Sequence, residues 1–256
     1  MSAMQPRAYE VLAAIERDHW WYRGRRVLLR RLLRRFPPPS GARLLDVGCG
    51  TGGNLELLAE SGDVVGVDPS AVAGEFCRAA WAGRFARGRV PELPVADESC
   101  DVVAALDVLE HVHNDLEALD DIHRVLRPGG RILLHVPAYS FLFGHEDWFS
   151  AHERRYRRSE IRRLLLAAGF EIEHLGYSTT LLFPGVVVAK LLKRWLIRDR
   201  VEPDVGTVPP ALLNDLLTAL VEGEAEICAA HELPFGASIV AVARRPPDEL
   251  SESFPH

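Results

Sequence analysis

A glycine-rich segment that follows a short apolar run limits most strongly what this chain can fold into. Residues 43–47 read Arg-Leu-Leu-Asp-Val, and Gly48, Gly50 and Gly52 come directly after them. The apolar run is typical of a fully buried strand, and glycines let the backbone turn sharply and approach a ligand. Residues 55–59 continue as a helix, so the turn places free backbone N–H groups and the positive end of a helix dipole beside one small ligand.

Two classes of nucleoside cofactor use this geometry. The spacing Gly48-x-Gly50-x-x-Gly53 matches the dinucleotide-binding fingerprint. Asp46, however, lies inside the strand end, and the segment follows a long helical leader, whereas dinucleotide enzymes of this type often begin with it. The pattern Asp46-x-Gly48-x-Gly50-x-Gly52 resembles the first motif of class I S-adenosylmethionine (SAM)-dependent methyltransferases.

A second acid, Asp68, ends the next apolar run at residues 63–68. An acid at the end of the second strand, 22 residues after Asp46, can accept hydrogen bonds from both ribose hydroxyls of a nucleoside cofactor. Asp68 could also serve as a helix N-cap with Pro69 at the first helical position, and that role is compatible with ligand binding.

Three later segments also resemble this methyltransferase family. Residues 107–112, Asp-Val-Leu-Glu-His-Val, resemble its fourth motif, and residues 123–137 combine a helix end, a Pro-Gly-Gly turn and a fifth strand, a signature foreign to nicotinamide dehydrogenases. Residues 88–103 resemble the segment that closes over adenine. Arg89 stands where the family commonly has an acid, so we expect Val90 to contribute through its backbone N–H.

The resemblance covers residues 20 to about 245 and implies an α/β fold. The expected sheet is Rossmann-like, seven-stranded and mostly parallel, with helices on both faces and an antiparallel last strand between strands five and six. We divide the chain into an N-terminal helical cap (1–40), a SAM-binding core (41–176), a helical insertion (177–236), and the last strand with its tail (237–256). Residues 8–35 and the stretches 186–198 and 211–230 have helical periodicity.

The resemblance implies SAM as the methyl donor and S-adenosylhomocysteine as the product. In the leader, Trp21 and Arg25 are either part of an aromatic cap on the core or a lid from which the arginine reaches the cofactor carboxylate. The residues that we expect to bind the cofactor are Trp21, Arg25, Asp46, Gly48, Cys49, Gly50, Gly52, Asp68, Pro69, Val90, Asp107 and Val108.

Composition bears on the cellular compartment and on the classes of partner, but it does not identify the acceptor. The net charge of −6 gives no general argument for nucleic acid binding. The four cysteines have no C-x-x-C spacing, which argues against zinc ligation by cysteine and against a disulfide framework. We expect a cytoplasmic protein without a signal peptide or a membrane-spanning segment, because the apolar run at 181–192 is short and interrupted.

The segment 138–156 leaves the carboxyl end of a parallel strand, where α/β folds bind substrates. It carries His145 and His152, which titrate near neutrality and are candidate general bases; the alternative is that each only packs or caps within the segment. We favour His145 because Glu146 and Asp147 could orient it. We also place Ser159 as the N-cap of the following helix.

The sequence does not favour a metal. Asp107-x-x-Glu110-His111 resembles an arrangement that binds a divalent ion in some ubiquinone-pathway relatives, and on a helix these residues would share a face. The motif is short, it occurs in many metal-free members, and Asp107 is already assigned to the cofactor. We therefore predict no metal site.

The expected activity is methyl transfer from SAM to an oxygen or nitrogen of a small molecule, as in ubiquinone-pathway and secondary-metabolism methyltransferases. Alternatives are an RNA or protein methyltransferase, and a cyclase or binding protein on the same scaffold. We expect a monomer or homodimer. The insertion at 177–236 either packs on the core or forms a lid that contacts a membrane surface or a second subunit. Its first helical stretch carries the cations Lys190, Lys193, Arg194 and Arg198 beside a broad apolar surface. The apolar residues are Val186, Val187, Val188, Leu191, Leu192, Trp195 and Leu196.

Overall fold

A computed structural model describes residues 6–81, 83–196 and 207–248. The helices are α1 (Pro6–Ile15), α2 (Trp20–Arg35), α3 (Leu55–Ala59), α4 (Ala71–Ala80), α5 (Asp115–Val125), α6 (His145–Phe149), α7 (Arg158–Ala167), α8 (Phe183–Leu196) and α9 (Ala211–Ala230). The strands are β1 (Ala42–Val47), β2 (Gly62–Asp68), β3 (Phe85–Arg87), β4 (Cys100–Leu106), β5 (Leu126–Pro137), β6 (Glu171–Ser178) and β7 (Ser238–Arg244). Single 3₁₀ turns occupy Leu109–His111 and Ser140–Leu142.

The seven strands form one sheet in the order β3-β2-β1-β4-β5-β7-β6. The pairs β3–β2, β2–β1, β1–β4 and β4–β5 are parallel. Strand β7 runs antiparallel to both of its neighbours, β5 and β6. The Rossmann-like fold predicted from the sequence is thereby confirmed, including the antiparallel last strand. The carboxyl ends of β1, β2, β4 and β5 meet at one edge of the sheet, which is where open α/β sheets bind ligands.

Each face of the sheet carries its own apolar core. On one face, α5 and α7 bury residues such as Leu119, Ile122 and Ile161 against the strands. On the other face, the leader helix α2 and the insertion helix α9 share a core with α3, to which they contribute Leu28, Leu32, Ala225 and Cys228. Helix α9 therefore packs on the sheet. For this part of the insertion, the structure agrees with the alternative that it packs on the core.

The leader contains two helices instead of one continuous helix. The break falls at residues 16–19, and His19 caps the second helix because its Nδ1 accepts a hydrogen bond from the backbone N–H of Trp21 at 3.2 Å. Asn214 on α9 holds the same junction, since it accepts from Trp20 N at 2.9 Å and donates to the carbonyl of Asp18 at 2.8 Å. The helical insertion thus fixes the position of the leader.

Two local boundaries differ from the prediction. Ser159 is not the N-cap of α7: Arg157 takes that position, and the Glu160 carboxylate accepts a hydrogen bond from Arg157 N at 2.6 Å. Pro184 and Gly185 do not precede α8 but lie in its first turn, where a proline costs no hydrogen bond because the first N–H groups of a helix have no partner within it.

The insertion exposes apolar side chains on both of its helices. On α8 these are Val188, Leu191 and Leu192, and on α9 they are Leu212, Leu213, Leu216, Leu220 and Ile227. Lys190 does not join a cationic row toward solvent, because its ammonium donates to the carbonyl of Leu142 at 2.8 Å and pairs with Glu146 at 3.0 Å. The side chains of Lys193 and Arg194, and all of Arg198, lie outside the described structure. None of the described helices has both the length and the hydropathy required to cross a bilayer.

The close approach of α2 and α9 generates a prediction. A Cβ added at Gly24 would lie 2.3 Å from Cγ2 of Val221, so Gly24→Ala must push the two helices apart. We expect a loss of about 1–3 kcal/mol in the free energy of unfolding, as for other overpacked cores. Urea denaturation of both proteins measures it.

Gly223→Ala is the matched control, because it is a glycine of α9 whose Cβ would meet nothing within 4 Å. That substitution should stabilise the protein by up to about 1 kcal/mol through helix propensity. Equal effects at the two glycines would contradict the tight packing of α2 on α9.

Candidate functional site

The glycine loop after β1 is held against the ends of β2 and β4. The backbone N–H groups of Gly48 and Cys49 both donate to the carbonyl of Val67, at 2.7 and 3.1 Å. Gly48 has a φ of +66°, and a Cβ there would lie 2.7 Å from Cγ2 of Val108. Glycine is therefore required here for both its conformation and its lack of a side chain. The contact also joins the first predicted motif to the fourth.

Asp68 is the centre of a hydrogen-bond network beneath this loop. Its carboxylate accepts from the backbone N–H of Gly50 at 3.1 Å, from Ser70 N at 2.9 Å and from the Tyr9 hydroxyl at 3.1 Å. Burial nevertheless outweighs these bonds and raises the pKa of Asp68. Ser70, not Asp68, is the N-cap of α4, and Pro69 precedes the cap. Tyr9 was not predicted to take part. Its hydrogen bond to Asp68 holds α1 beside the carboxyl end of β2.

Asp46 is a buried carboxylate with no hydrogen-bond partner in the described part of the chain. Its side chain is fully buried at the end of β1, and neither oxygen is bonded there. Burial raises its pKa to about 7, although the charge of Arg25 opposes the rise. A buried, unbonded carboxylate is costly. SAM carries both an ammonium and a sulfonium, so a cationic cofactor fits a pocket with this unsatisfied acid beside a glycine loop.

Asp107 connects the leader to the sheet. It forms an ion pair with Arg25 of α2, and its other oxygen lies 2.7 Å from Nδ1 of His135 on β5. Burial alone would raise the pKa of Asp107, but the charges of His135 and Arg25 outweigh it and hold that pKa below its usual range. Asp107 thus stays ionised and can keep the His135 ring in one orientation.

A small cavity with a volume of about 20 Å³ lies next to this ion pair, between α2, α9 and the strand ends. Trp20, Trp21, Arg25, His135, Thr179 and Glu224 are among its lining residues. The Trp21 ring centroid is 6.2 Å from that of His135. Trp21 and Arg25 therefore both line this cavity, and Arg25 is paired with Asp107.

The segment 138–156 brings only one of its two candidate histidines into a described network. His152 Nδ1 lies 2.8 Å from Oδ1 of Asp147, whose carboxylate also binds Arg155 at 2.8 and 3.0 Å. The carboxylates expected to orient His145 have other described partners: Asp147 bonds His152, and Glu146 pairs with Lys190. His145 begins α6, and its side chain lies outside the described structure.

His152 faces the two residues that end the 3₁₀ turn after β4. The rings of His111 and His152 are 4.7 Å apart, and Nε2 of His152 is 4.0 Å from Glu110 Oε1. Burial, reinforced by the charge of Asp107, raises the pKa of Glu110. Burial and then the charge of His152 lower the pKa of His111 to about 4. We call these three residues the Glu110–His111–His152 cluster.

The remaining predicted cofactor residues are mostly buried around the loop. Val90 and Val108 are almost completely buried in one apolar core, and the Sγ atom of Cys49 is 3.9 Å from that of Cys77. The main group that sequence reasoning missed is His135. Its signal was available, because it is a polar residue in the otherwise apolar carboxyl half of β5, Ile-Leu-Leu-His-Val.

The raised pKa of Asp46 predicts how stability varies with pH. The pKa is about 7 in the folded protein against an ordinary 3.8, so folding favours the protonated acid. The resulting stabilisation is complete below about pH 4 and is lost as the pH rises to about 7. One pKa unit is worth about 1.4 kcal/mol, so ionised Asp46 costs the ligand-free protein at most about 4 kcal/mol.

Asp46→Asn should therefore raise the free energy of unfolding at about pH 8 and change it less at about pH 5. Chemical denaturation of the ligand-free variant and parent at both pH values measures this. Asp63→Asn, on an exposed residue at the other end of β2, makes the same chemical change and should leave the pH dependence as in the parent. Parallel profiles for Asp46→Asn and the parent would contradict the buried-acid interpretation.

Comparison with known proteins agrees with this geometry. Residues 20–175 match the family described as a methyltransferase domain. A probable SAM-dependent methyltransferase of Mycolicibacterium smegmatis is 29% identical over 255 residues, which is 96% of this chain and 96% of that protein.

Two solved structures are also similar. A chain from the complex of a Haloferax volcanii methyltransferase with the methyltransferase activator Trm112 gives a TM-score of 0.59 at 21% identity, covering 93% of this chain and 97% of that one. The [4+2]-cyclase SpnF gives 0.54 at 25% identity, covering 88% and 81%. With the family match spanning more than half of the sequence, this chain belongs to the methyltransferase-domain family and is a SAM-dependent methyltransferase.

Proposed function

We propose that the enzyme methylates an oxygen or nitrogen of a small-molecule acceptor bound in the cavity between α2, α9 and the carboxyl ends of β5 and β6. The observation that carries the proposal is that His135, which lines that cavity, is paired with the carboxylate of Asp107. A histidine oriented by a carboxylate is a typical general base. An acceptor hydroxyl or ammonium must lose a proton when it is methylated, so such a base is needed there.

The composition of the cavity supports a small organic acceptor. Its volume of about 20 Å³ is far below the roughly 300–1,000 Å³ of sites that bind small molecules, so the cavity has to widen when the acceptor binds. Trp20, Trp21 and Leu28 supply apolar walls, and His135, Thr179 and Glu224 supply polar groups. A mostly apolar pocket with a few polar groups orients a small organic molecule.

The donor has its own residues on the other side of Asp107. We assign Asp46, Gly48, Gly50 and Asp68 to SAM, whose sulfonium supplies the methyl group when it is bound. The glycines of the loop lack side chains and so let the backbone approach the donor, Asp68 holds a carboxylate beside that loop at the β2 end, and Asp46 offers a buried carboxylate with no described hydrogen bond. The protein contributes chiefly by holding donor and acceptor in line, which can lower a barrier by roughly 7–11 kcal/mol.

In this arrangement His135 takes the acceptor proton. With Nδ1 bonded to Asp107, the nitrogen that can receive a proton is Nε2. The neighbouring Arg25 ion pair keeps Asp107 ionised, which stabilises His135 when it becomes cationic. Trp21 and Arg25 act from the leader, where they form one wall of the acceptor cavity and hold Asp107 in place.

Asp68→Ala tests the assignment to SAM. Removing the carboxylate takes away a charged hydrogen-bond acceptor for the donor, so SAM affinity should fall by about 1–3 kcal/mol, measured by calorimetry. The control is Asp63→Ala, which changes an exposed residue of the same strand, β2. Equal SAM affinity in Asp68→Ala and the parent would contradict the assignment.

His135→Asn tests the base. It should reduce kcat with the true acceptor by about 100-fold or more, because general bases typically contribute 10²- to 10⁴-fold, and it should leave SAM affinity within about twofold. His113→Asn, at a position where the side chain is 96% exposed, should retain the parental kcat. Near-parental turnover in the His135 variant would show that another group takes the proton.

The acceptor itself can be found by incubating the enzyme with methyl-labelled SAM and small-molecule extracts, and then identifying labelled products by mass spectrometry. Formation of S-adenosylhomocysteine together with a labelled small molecule supports the proposal. Label found only in RNA or protein would overturn the acceptor class. Rearrangement of a small molecule without consumption of SAM would indicate a cyclase-type activity on this scaffold.

A further inference from the structure

The Glu110–His111–His152 cluster is the feature of the described structure that the proposed methyl transfer leaves unexplained. Each residue offers one ligand atom, and these atoms all lie within 4.8 Å of one another. Glu110 and His111 end the 3₁₀ turn that follows β4, and His152 comes from the segment between α6 and α7. Two imidazoles and a carboxylate from separate parts of the fold thus converge on one point.

Glu110 is the most informative member of the cluster. Its side chain is fully buried, and neither carboxylate oxygen has a hydrogen-bond partner among the described residues. The approach of His152 Nε2, at 4.0 Å from Oε1, is too long for a hydrogen bond. A buried carboxylate is normally paired with a cation, strongly hydrogen-bonded or bound to a metal. The ligand atoms of Glu110 and the two histidines, all within 4.8 Å of one another, are close enough to share one cation.

A second carboxylate orients His152 toward that point. His152 Nδ1 lies 2.8 Å from Oδ1 of Asp147, which leaves Nε2 facing Glu110. Asp147 is completely buried and is itself fixed by two hydrogen bonds from Arg155 and one from the backbone N–H of Gly144 at 2.7 Å. Histidines that bind metals commonly have their other ring nitrogen held by a carboxylate in this way.

We propose that Glu110, His111 and His152 bind a divalent transition-metal ion, with Asp147 as the residue that orients His152. Two neutral imidazoles and one carboxylate are the donor set of many catalytic zinc sites, and they also suit Mn²⁺, Fe²⁺, Co²⁺ and Ni²⁺. One ligand differs from those suggested by the sequence motif. Asp107 is paired with Arg25 and His135, and His152, from a distant segment, takes its place beside Glu110 and His111.

Three protein ligands leave a coordination position for water. A metal there would lower the pKa of that water. Metal binding does not depend on the proposed function, because it needs only the three side chains and can be measured without an acceptor.

Metal binding is tested on the full-length, tag-free protein with Co²⁺ as the probe. After treatment with a chelator, the protein should bind one Co²⁺ per chain. Calorimetry and the visible absorption of the ion both measure this binding. Glu110→Gln and His152→Asn should each weaken Co²⁺ by more than about 100-fold, because loss of even an outer hydrogen-bond partner typically costs 10- to 100-fold.

The matched control changes the same residue types on the surface. His113 and Glu153 form an exposed pair at 3.4 Å, so His113→Asn combined with Glu153→Gln should retain the parental Co²⁺ affinity. The spectrum should also lack thiolate-to-cobalt bands, which would reveal binding to the buried cysteines Cys49 and Cys77 instead.

Glu110→Gln separates loss of binding from loss of folding. The substitution replaces a buried acid by a neutral amide of the same shape, so the metal-free variant should have a Tm no lower than that of the parent. Saturating Co²⁺ should raise the Tm of the parent but not that of the variant. Equal Co²⁺ affinity in parent, Glu110→Gln and His152→Asn, or no binding by the parent, would overturn the proposal. Neither outcome would bear on methyl transfer through His135.

Discussion

Buried negative charge at the carboxyl edge of the sheet is the constraint on which the site depends. Asp46, Asp68, Glu110 and Asp147 are all buried around the ends of parallel strands, and Asp107 lies half-buried among them. Carboxylates in such surroundings must be neutralised by a proton, a hydrogen-bond donor or a cation. How each one is neutralised decides which parts of the chain are structural and which are available to a ligand.

Three of the five acids are satisfied within the protein. Asp68 accepts from two backbone N–H groups and from Tyr9, Asp107 pairs with Arg25 and His135, and Asp147 binds Arg155 and His152. These contacts hold the leader, β5 and the segment after α6 in place. Asp46 and Glu110 have no hydrogen bond of this kind in the described structure. They are therefore the acids that point to ligands, a cationic methyl donor for Asp46 and a metal ion for Glu110.

The sequence predicted the parts of this arrangement that are local. The glycine loop and the acid at the end of β2 each depend on residues within a few positions of one another, so spacing alone reveals them. The Pro-Gly-Gly segment was expected as a turn before the fifth strand, but it lies within β5. The Rossmann-like sheet and the antiparallel β7 between β5 and β6 followed from the family resemblance. Contacts between distant segments could not be predicted in the same way. Nothing in the spacing of His145, Glu146 and Asp147 indicates that Asp147 bonds His152, because that depends on how α6 folds back beside Arg155.

The pairing of α2 with α9 was missed for the same reason. The two helices are almost two hundred residues apart in sequence, and their contact is visible only once Gly24 is seen against Val221. The signal in the sequence was a glycine inside an arginine-rich helix, where a glycine is otherwise unfavourable. An isolated glycine of this kind indicates close helix packing only after the partner is known.

This packing also decides which part of the insertion could act as a lid. Helix α9 is fixed at its start by Asn214, which bonds the leader, and near its end by Glu224, whose carboxylate accepts from the backbone N–H groups of Thr180 and Leu181 at 2.7 Å each. To swing away, α9 would have to leave Glu224 and the apolar core residues of this face without partners, which is costly. Helix α8 has an exposed apolar face, and Lys190 anchors it to the segment 138–156. Movement within the insertion is therefore more easily achieved by α8 than by α9, and it would break the bonds of Lys190 with Leu142 and Glu146.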